Sequence, residues 1–248
     1  MKFKIKSKKF KDKYIYGEIS GVRGATTLVV FMSGFDGSSK FSLFKTATNY
    51  FNKNSVSTIR FDFCNKKNKD AILLQDISFS VYATELKNII DRFGKNYLRI
   101  VFVGHSFGAV VAIMFLLKHK AFLKKTELVL WDPTLLPWKE VWMKEDYIFL
   151  PEKKLYRDTH THELINKTFY KECTHIKNSA SVLGLLKKDV LIIAAKGSAD
   201  KDAMTYFSKL QDRKNSQVSI INNTDHYFKG MLARKQLLDK TNSFLKRK

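Results

Sequence analysis

Apolar residues fall along this chain in two rhythms: short runs without polar interruption, and longer stretches with helical spacing. Leu28-Val29-Val30-Phe31-Met32 is apolar throughout and stops at Ser33-Gly34, as a strand buried on both faces reads. Val56 to Phe63, Leu98 to Val103, Glu127 to Trp131 and Val190 to Ala195 have similar strand character. Between them, Phe41 to Phe51 places Phe41, Leu43, Phe44, Ala47, Tyr50 and Phe51 near helical spacing. Ile77 to Phe93 predicts an amphipathic helix ended by Gly94, and an apolar helix is expected from Ala109 to about His119. At the start, Lys2-Phe3-Lys4-Ile5-Lys6 and Tyr14 to Ile19 alternate with a period of two, which predicts strands with one solvated face, the second antiparallel. After Ala195 come a helix near Ala203 to Arg213, a strand at Val218 to Ile221 and a final helix from about Phe228 to Leu245. Strand and helix in regular alternation predict an α/β fold, with a mostly parallel sheet flanked by helices on both faces.

The rhythm breaks between Pro133 and Lys188, where no strand is expected. All three prolines lie there, at 133, 137 and 151, with Trp138 and Trp142. The expected organisation is one domain over residues 1–248, with residues 134–187 a cap inserted over the sheet.

Charge changes the picture less than its size suggests. Lys and Arg number 45 against 23 Asp and Glu, a formal net charge of +22. Such a charge attracts nucleic acid or anionic lipid. The lysines are spread along the whole chain, however, and none is interleaved with aromatics in a nucleic-acid-reading pattern. No specific nucleic-acid partner is therefore expected, only a weak attraction to anionic surfaces. Lysines on the first strand also suit a sheet edge, where they discourage pairing with other chains. No apolar run reaches the ~20 residues that span a bilayer, and no apolar segment follows the basic stretch Met1 to Phe10. Cys64 and Cys173 form no C-x-x-C pair, and the expected compartment is a reduced cytoplasm. His160-Thr161-His162-Glu163 does not complete a coordination sphere, so no metal and no organic cofactor are expected.

The chemistry concentrates where Leu98 to Val103 runs into Gly104-His105-Ser106-Phe107-Gly108. A serine on a sharp strand-to-helix turn is thrust outward, and small residues two positions either side let strand and helix close on each other. A helix cap at Ser106 is the plain structural alternative. A serine hydroxyl needs a base, itself held by an acid, and these sites order them Ser, acid, His along the chain. His226, in the loop after the last strand, is the expected base. Asp200, after the strand Val190 to Ala195, is the expected acid, preferred over Asp132 because Gly197-Ser198-Ala199 lets its loop curl back while Pro133 stiffens the segment after Asp132. Asp200 could instead begin the following helix. Two backbone N–H groups should receive the oxyanion, those of Phe107 and Phe35, and Gly34 and Gly37 flank Phe35 as turn residues.

Gly34-Phe35, Arg60-Phe61-Asp62-Phe63, Gly104 through Gly108, Gly197 through Asp200 and Asp225-His226 together resemble the α/β-hydrolase family. Arg60–Phe63 with Gly-His-Ser-x-Gly is most similar to its small acyl esterases, including feruloyl and cinnamoyl esterases and monoacylglycerol lipase-like enzymes. The resemblance implies an eight-stranded sheet with a cap after strand six, and a carboxylic-ester hydrolase working through an acyl-enzyme without a metal or organic cofactor. The chain departs from the family pattern twice. Ser33-Gly34 stands where the family has His-Gly, and Cys64-Asn65-Lys66-Lys67-Asn68-Lys69 replaces a Gly-His-Gly-x-Ser segment. A thioesterase or acyltransferase would use the same residues, and a catalytically silent scaffold would be expected to lack one of them. Trp138, Trp142, Tyr147 and Phe149 fit either an apolar substrate lining or the insertion's own small core.

Overall fold

A computed structural model describes residues 1–35 and 38–247, apart from the side chains of residues 140–142. Eleven strands and eight α-helices occur among them. The apolar runs became the centre of the sheet: β3 (Thr27–Met32), β5 (Arg99–His105), β6 (Thr126–Trp131) and β10 (Val190–Ala195) are buried nearly throughout. With β1 (Lys2–Lys6), β2 (Tyr14–Ser20), β4 (Ser57–Asp62) and β11 (Gln217–Ile221) they form an eight-stranded sheet in the order β1-β2-β4-β3-β5-β6-β10-β11. Only the pairings of β2, with β1 and with β4, are antiparallel. The strand with alternating lysines is an edge: Ile5 is buried, and the lysines at 2, 4 and 6 are exposed.

Helices cover both faces, as parallel crossovers require. On one face, α2 (Phe79–Phe93) and α3 (Phe107–Lys118) pack with β5 and a large apolar cluster. On the other, α1 (Ser42–Lys53) and α8 (Met231–Leu245) enclose Phe31, Phe44, Phe51, Trp131 and Leu237. Helix α3 is apolar on nearly every side because it is enclosed on nearly every side. Helix α7 (Asp200–Ser208) starts earlier than the apolar spacing predicts, with Asp200 and Asp202 in its first turn, where carboxylates complement the helix dipole.

The insertion between β6 and β10 corrects one expectation. It holds α4 (Glu140–Asp146), α5 (Lys167–His175) and α6 (Ser179–Leu185), but also three antiparallel strands, β7 (Tyr147–Leu150), β8 (Leu155–Asp158) and β9 (Leu164–Asn166). These have four, four and three residues and carry no clean two-residue burial alternation, so the periodicity that marks a strand has no length over which to show. The insertion is tied to the core by polar bonds. The Asn166 side chain donates to the carbonyls of Gln75 and Ile77, and Phe79 N donates to Glu172 at 2.7 Å. Leu135 N donates to Asp202 of α7, while within the insertion Leu136 N donates to Ser179 Oγ.

Candidate active site

Ser106 stands between β5 and α3 with φ 55° and ψ −126°, a conformation that L-residues avoid and that functional sites use to hold a side chain outward. The flanking glycines are there because nothing larger fits. A Cβ on Gly104 would lie 2.5 Å from Ala109 Cα, and one on Gly108 would lie 2.2 Å from the carbonyl oxygen of Met32. The turn is tied to the next strand: Ser106 N donates to Trp131 O at 3.0 Å, and Thr134 N to Ser106 O at 3.3 Å. The Ser106 Oγ lies 3.3 Å from Thr134 Oγ1.

His226, in the loop after β11, presents Nδ1 to Asp132 Oδ2 at 2.6 Å. A carboxylate only accepts, so Nδ1 carries the proton and Nε2 keeps its lone pair. Asp132 is fully buried at the end of β6, in the left-handed region at φ 45°. Its charge is fully satisfied there: Oδ1 accepts from Ala195 N at 2.7 Å, and Oδ2 accepts from Ser198 Oγ at 2.5 Å as well as from His226. His105, just before Ser106, contacts the same histidine from below. Its ring lies 4.6 Å from that of His226, and its Nε2 donates to the His226 carbonyl at 2.8 Å. Burial lowers the His105 pKa to about 4. The ring is therefore neutral at working pH and adds no positive charge beside His226.

The structure brings His226 against Asp132 and against the residue preceding Ser106. It does not bring Asp200 there. Asp200 pairs with Lys196 at 3.1 Å and opens α7, and the hydrogen bond from Lys196 is the main cause of its lowered pKa. The carboxylate in contact with His226 is thus Asp132, where the sequence favoured Asp200. Gly197, at φ 78°, does curl the loop back toward the site, but the side chain it delivers is Ser198. Three residues at this centre carried little sequence signal. His105 occupies the free position of the Gly-x-Ser-x-Gly pattern, Thr134 stands at the mouth of the insertion, and Ser198 looked like a loop residue chosen only for its size.

The loop after β3 closes the other side. A Cβ on Gly34 would come within 3.1 Å of Ser106 Cβ and 3.3 Å of its Oγ, so this glycine keeps the Ser106 hydroxyl uncrowded. Phe35 follows it, and Phe107 is the first residue of α3, where backbone N–H groups have no acceptor within the helix. Gly37, expected as a turn residue, lies outside the described residues. Further along, the loop is clamped by the Arg60–Phe63 run: Arg60 donates to Ser39 O at 2.7 Å, and Asp62 accepts from Ser39 N at 2.6 Å. The lysine-rich segment that replaces the family's glycine-rich one joins the clamp through Asn65, whose amide donates to Asp62 Oδ2. It also lines a cavity of about 210 Å³ with Lys40, Leu74 and Glu163.

The insertion contributes aromatics above the elbow. Phe35 stacks on Phe169 at 5.4 Å and meets Phe107 and Trp138 edge-on. Tyr147 lies against Tyr170 and Phe149 against Tyr156, within the insertion itself. The side chain of Trp142 lies outside the described residues. Of the His160-Thr161-His162-Glu163 run, His160 lies 3.4 Å from Asp146 and Glu163 pairs with Lys66. Among the described residues no group of three or more His, Cys, Asp or Glu could hold a metal ion, and no helix is long and apolar enough to cross a membrane.

Residues 23–131 match the family described as "Putative serine esterase (DUF676)", a match that includes Ser106 and stops one residue before Asp132. That match supports an esterase or hydrolase function. No curated protein matches the sequence. Among solved structures, the chain is similar to Est1E from Butyrivibrio proteoclasticus with ferulic acid bound, at 13% identity and TM-score 0.73, covering 94% of each chain. It is similar to the α/β hydrolase GrgF from Penicillium sp. sh18, at 13% identity and TM-score 0.74, over 100% of this chain and 98% of the other. It also resembles mouse alpha/beta hydrolase domain-containing protein 10, at 13% identity and TM-score 0.72, over 99% of this chain and 98% of the other. The chain thus shares its mixed α/β fold with these α/β hydrolases, and the segment that carries its Gly-x-Ser-x-Gly turn matches a serine esterase family.

Proposed function

We propose that the protein hydrolyses carboxylic esters through an acyl-enzyme, with Ser106 as nucleophile, His226 as base and Asp132 as the acid that orients it. The observation that carries this reading is the 2.6 Å contact between His226 Nδ1 and buried Asp132, beside a serine held at φ 55°. In the proposed reaction, His226 Nε2 takes the Ser106 proton as Oγ attacks the ester carbonyl. The oxyanion is received by the N–H groups of Phe35 and Phe107. His226 then gives the proton to the leaving alcohol, and water, activated the same way, releases the acid. The residues that orient the base are already satisfied by hydrogen bonds, so little reorganisation is needed when charge develops.

A fluorophosphonate probe tests this directly. Intact mass should show one adduct on the protein and none on Ser106→Ala, with the variant's circular dichroism unchanged. An adduct that persists on the folded variant would overturn the assignment.

Residues 134–187 act in this reading as a cap, and the stacking of Phe169 on Phe35, with Trp138 edge-on to the same ring, supports an apolar acyl or aryl group beneath them. Trp138→Ala should lower kcat/KM for long-chain aryl esters by about tenfold and leave the acetate ester nearly unaffected, because remote contacts aid only substrates long enough to make them. Equal losses on both esters would count against a cap that senses the acyl chain.

A further inference from the structure

The hydroxyl of Ser198 completes the carboxylate site, and the preceding mechanism gives it no task. It donates to Asp132 Oδ2 at 2.5 Å, the same oxygen that accepts from His226, and its oxygen lies 3.4 Å from His226 Nδ1. We propose that Ser198 is a positioning residue that acts through Asp132, fixing the carboxylate plane and offering the His226 Nδ1–H a second acceptor. The proposal rests on the active-site reading above.

The geometry supports this in three steps. An Asp carboxylate turns freely about its last bond, whose torsional preference is broad. One donor on Oδ1, Ala195 N, would leave Oδ2 able to swing. A second donor on Oδ2 locks the plane, and Ser198 supplies it from a different strand loop than the histidine does. Because the Ser198 proton is engaged with Oδ2, its oxygen lone pairs are left for Nδ1–H, so the imidazolium formed during proton transfer meets two acceptors. The loop is built to hold this position. Gly197 turns at φ 78°, Ser198 N donates to Ala195 O at 3.1 Å, and Lys196 N donates to Ile221 O at 2.8 Å. Among the described residues, the groups near His226 and Asp132 include neutral His105 and Tyr227 against the ring, the Asp225–Lys229 pair in its own loop, and Asp202 near Asp132.

Ser198 is itself exposed, so Ser198→Ala removes a hydrogen bond without opening a hole in the core. Using p-nitrophenyl acetate, Ser198→Ala should lose about tenfold or more in kcat with KM within twofold, the scale of one hydrogen bond to a charged group. Ser198→Thr, which keeps the hydroxyl, should recover activity to within threefold of the parent protein. A low-field proton resonance from His226 Nδ1–H, assigned by its loss in His226→Gln, should shift or broaden in Ser198→Ala and return in Ser198→Thr. A Ser198→Ala protein with unchanged kcat and an unchanged resonance overturns the proposal, as does a threonine variant no better than the alanine one. The two readings fail separately. If the parent protein neither takes the probe nor cleaves the ester, the hydrolase reading falls, while the resonance still decides whether Ser198 positions the Asp132–His226 pair.

Discussion

Asp132→Asn should lower kcat on an aryl ester by about 10⁴-fold, whereas Asp200→Asn should stay within tenfold of the parent protein. The asymmetry follows from what each carboxylate touches. Asp132 is the acceptor for His226 Nδ1–H, and it is buried where no water can take over that task. An amide in its place can turn its NH₂ toward the ring. Nδ1 then becomes the acceptor, the proton moves to Nε2, and the nitrogen that should receive the Ser106 proton no longer has a lone pair. Asp200 loses only an ion pair with solvent-exposed Lys196 and a favourable helix-terminal charge, both screened by water and neither in contact with His226. Steady-state kinetics on both variants, with probe labelling of Ser106 as a folding-sensitive control, decide the matter. If Asp200→Asn collapses kcat and Asp132→Asn does not, the acid is the one that the sequence favoured.

The second large effect concerns the fold around the nucleophile. Gly108→Ala should cost about 3 kcal/mol or more of stability, at or above the usual range for overpacking. The added Cβ would meet the Met32 carbonyl oxygen at 2.2 Å and the Met32 carbon and Ser33 oxygen at 2.7 Å. All three are backbone atoms, so no side chain can turn away, and helix α3 would have to lift off the end of β3. Gly21→Ala is the control, since nothing lies within 4 Å of its added carbon, and it should stay within about 0.5 kcal/mol. Urea unfolding monitored by tryptophan fluorescence reads both. A Gly108→Ala midpoint matching the parent's would mean that strand and helix are less tightly pressed than these distances require.

How much of this was legible in the sequence depends on the length of each signal. β3 and β10 were readable because buried parallel strands are apolar almost throughout, and five or six such residues in a row leave little alternative; β5 and β6 show four in a row, at Ile100–Val103 and Leu128–Trp131. The elbow was readable because its glycines answer a steric demand at a fixed spacing. The strands of the insertion were not, being too short for a period to emerge. That Asp132 rather than Asp200 would meet His226 was not legible, for a more specific reason. Pro133 was read as stiffening the chain away from the site, but the carboxylate is aimed by the residue before it: Asp132 adopts φ 45° as β6 ends, which tips its side chain under His226. Small residues at 197–199 did mark a loop that returns to the site. They could not say which side chain it would deliver. Backbone handedness at one aspartate and hydrogen bonding by one serine have no counterpart in residue pattern.

The polar ties beneath the insertion bear on how turnover is timed. Asn166 and Glu172 fasten it to main-chain groups of Gln75, Ile77 and Phe79 at the start of α2, and Asp202 of α7 holds its Leu135 N–H. Swinging it aside as one piece would break all of these together, at roughly 1 kcal/mol or more for each. In the proposed reaction the insertion would then be a fixed aperture rather than a door. Esters would be sorted by whether they fit the opening as it stands, and the rate of each cycle would be left to bond-making and product escape, with no slow opening and closing to set the pace.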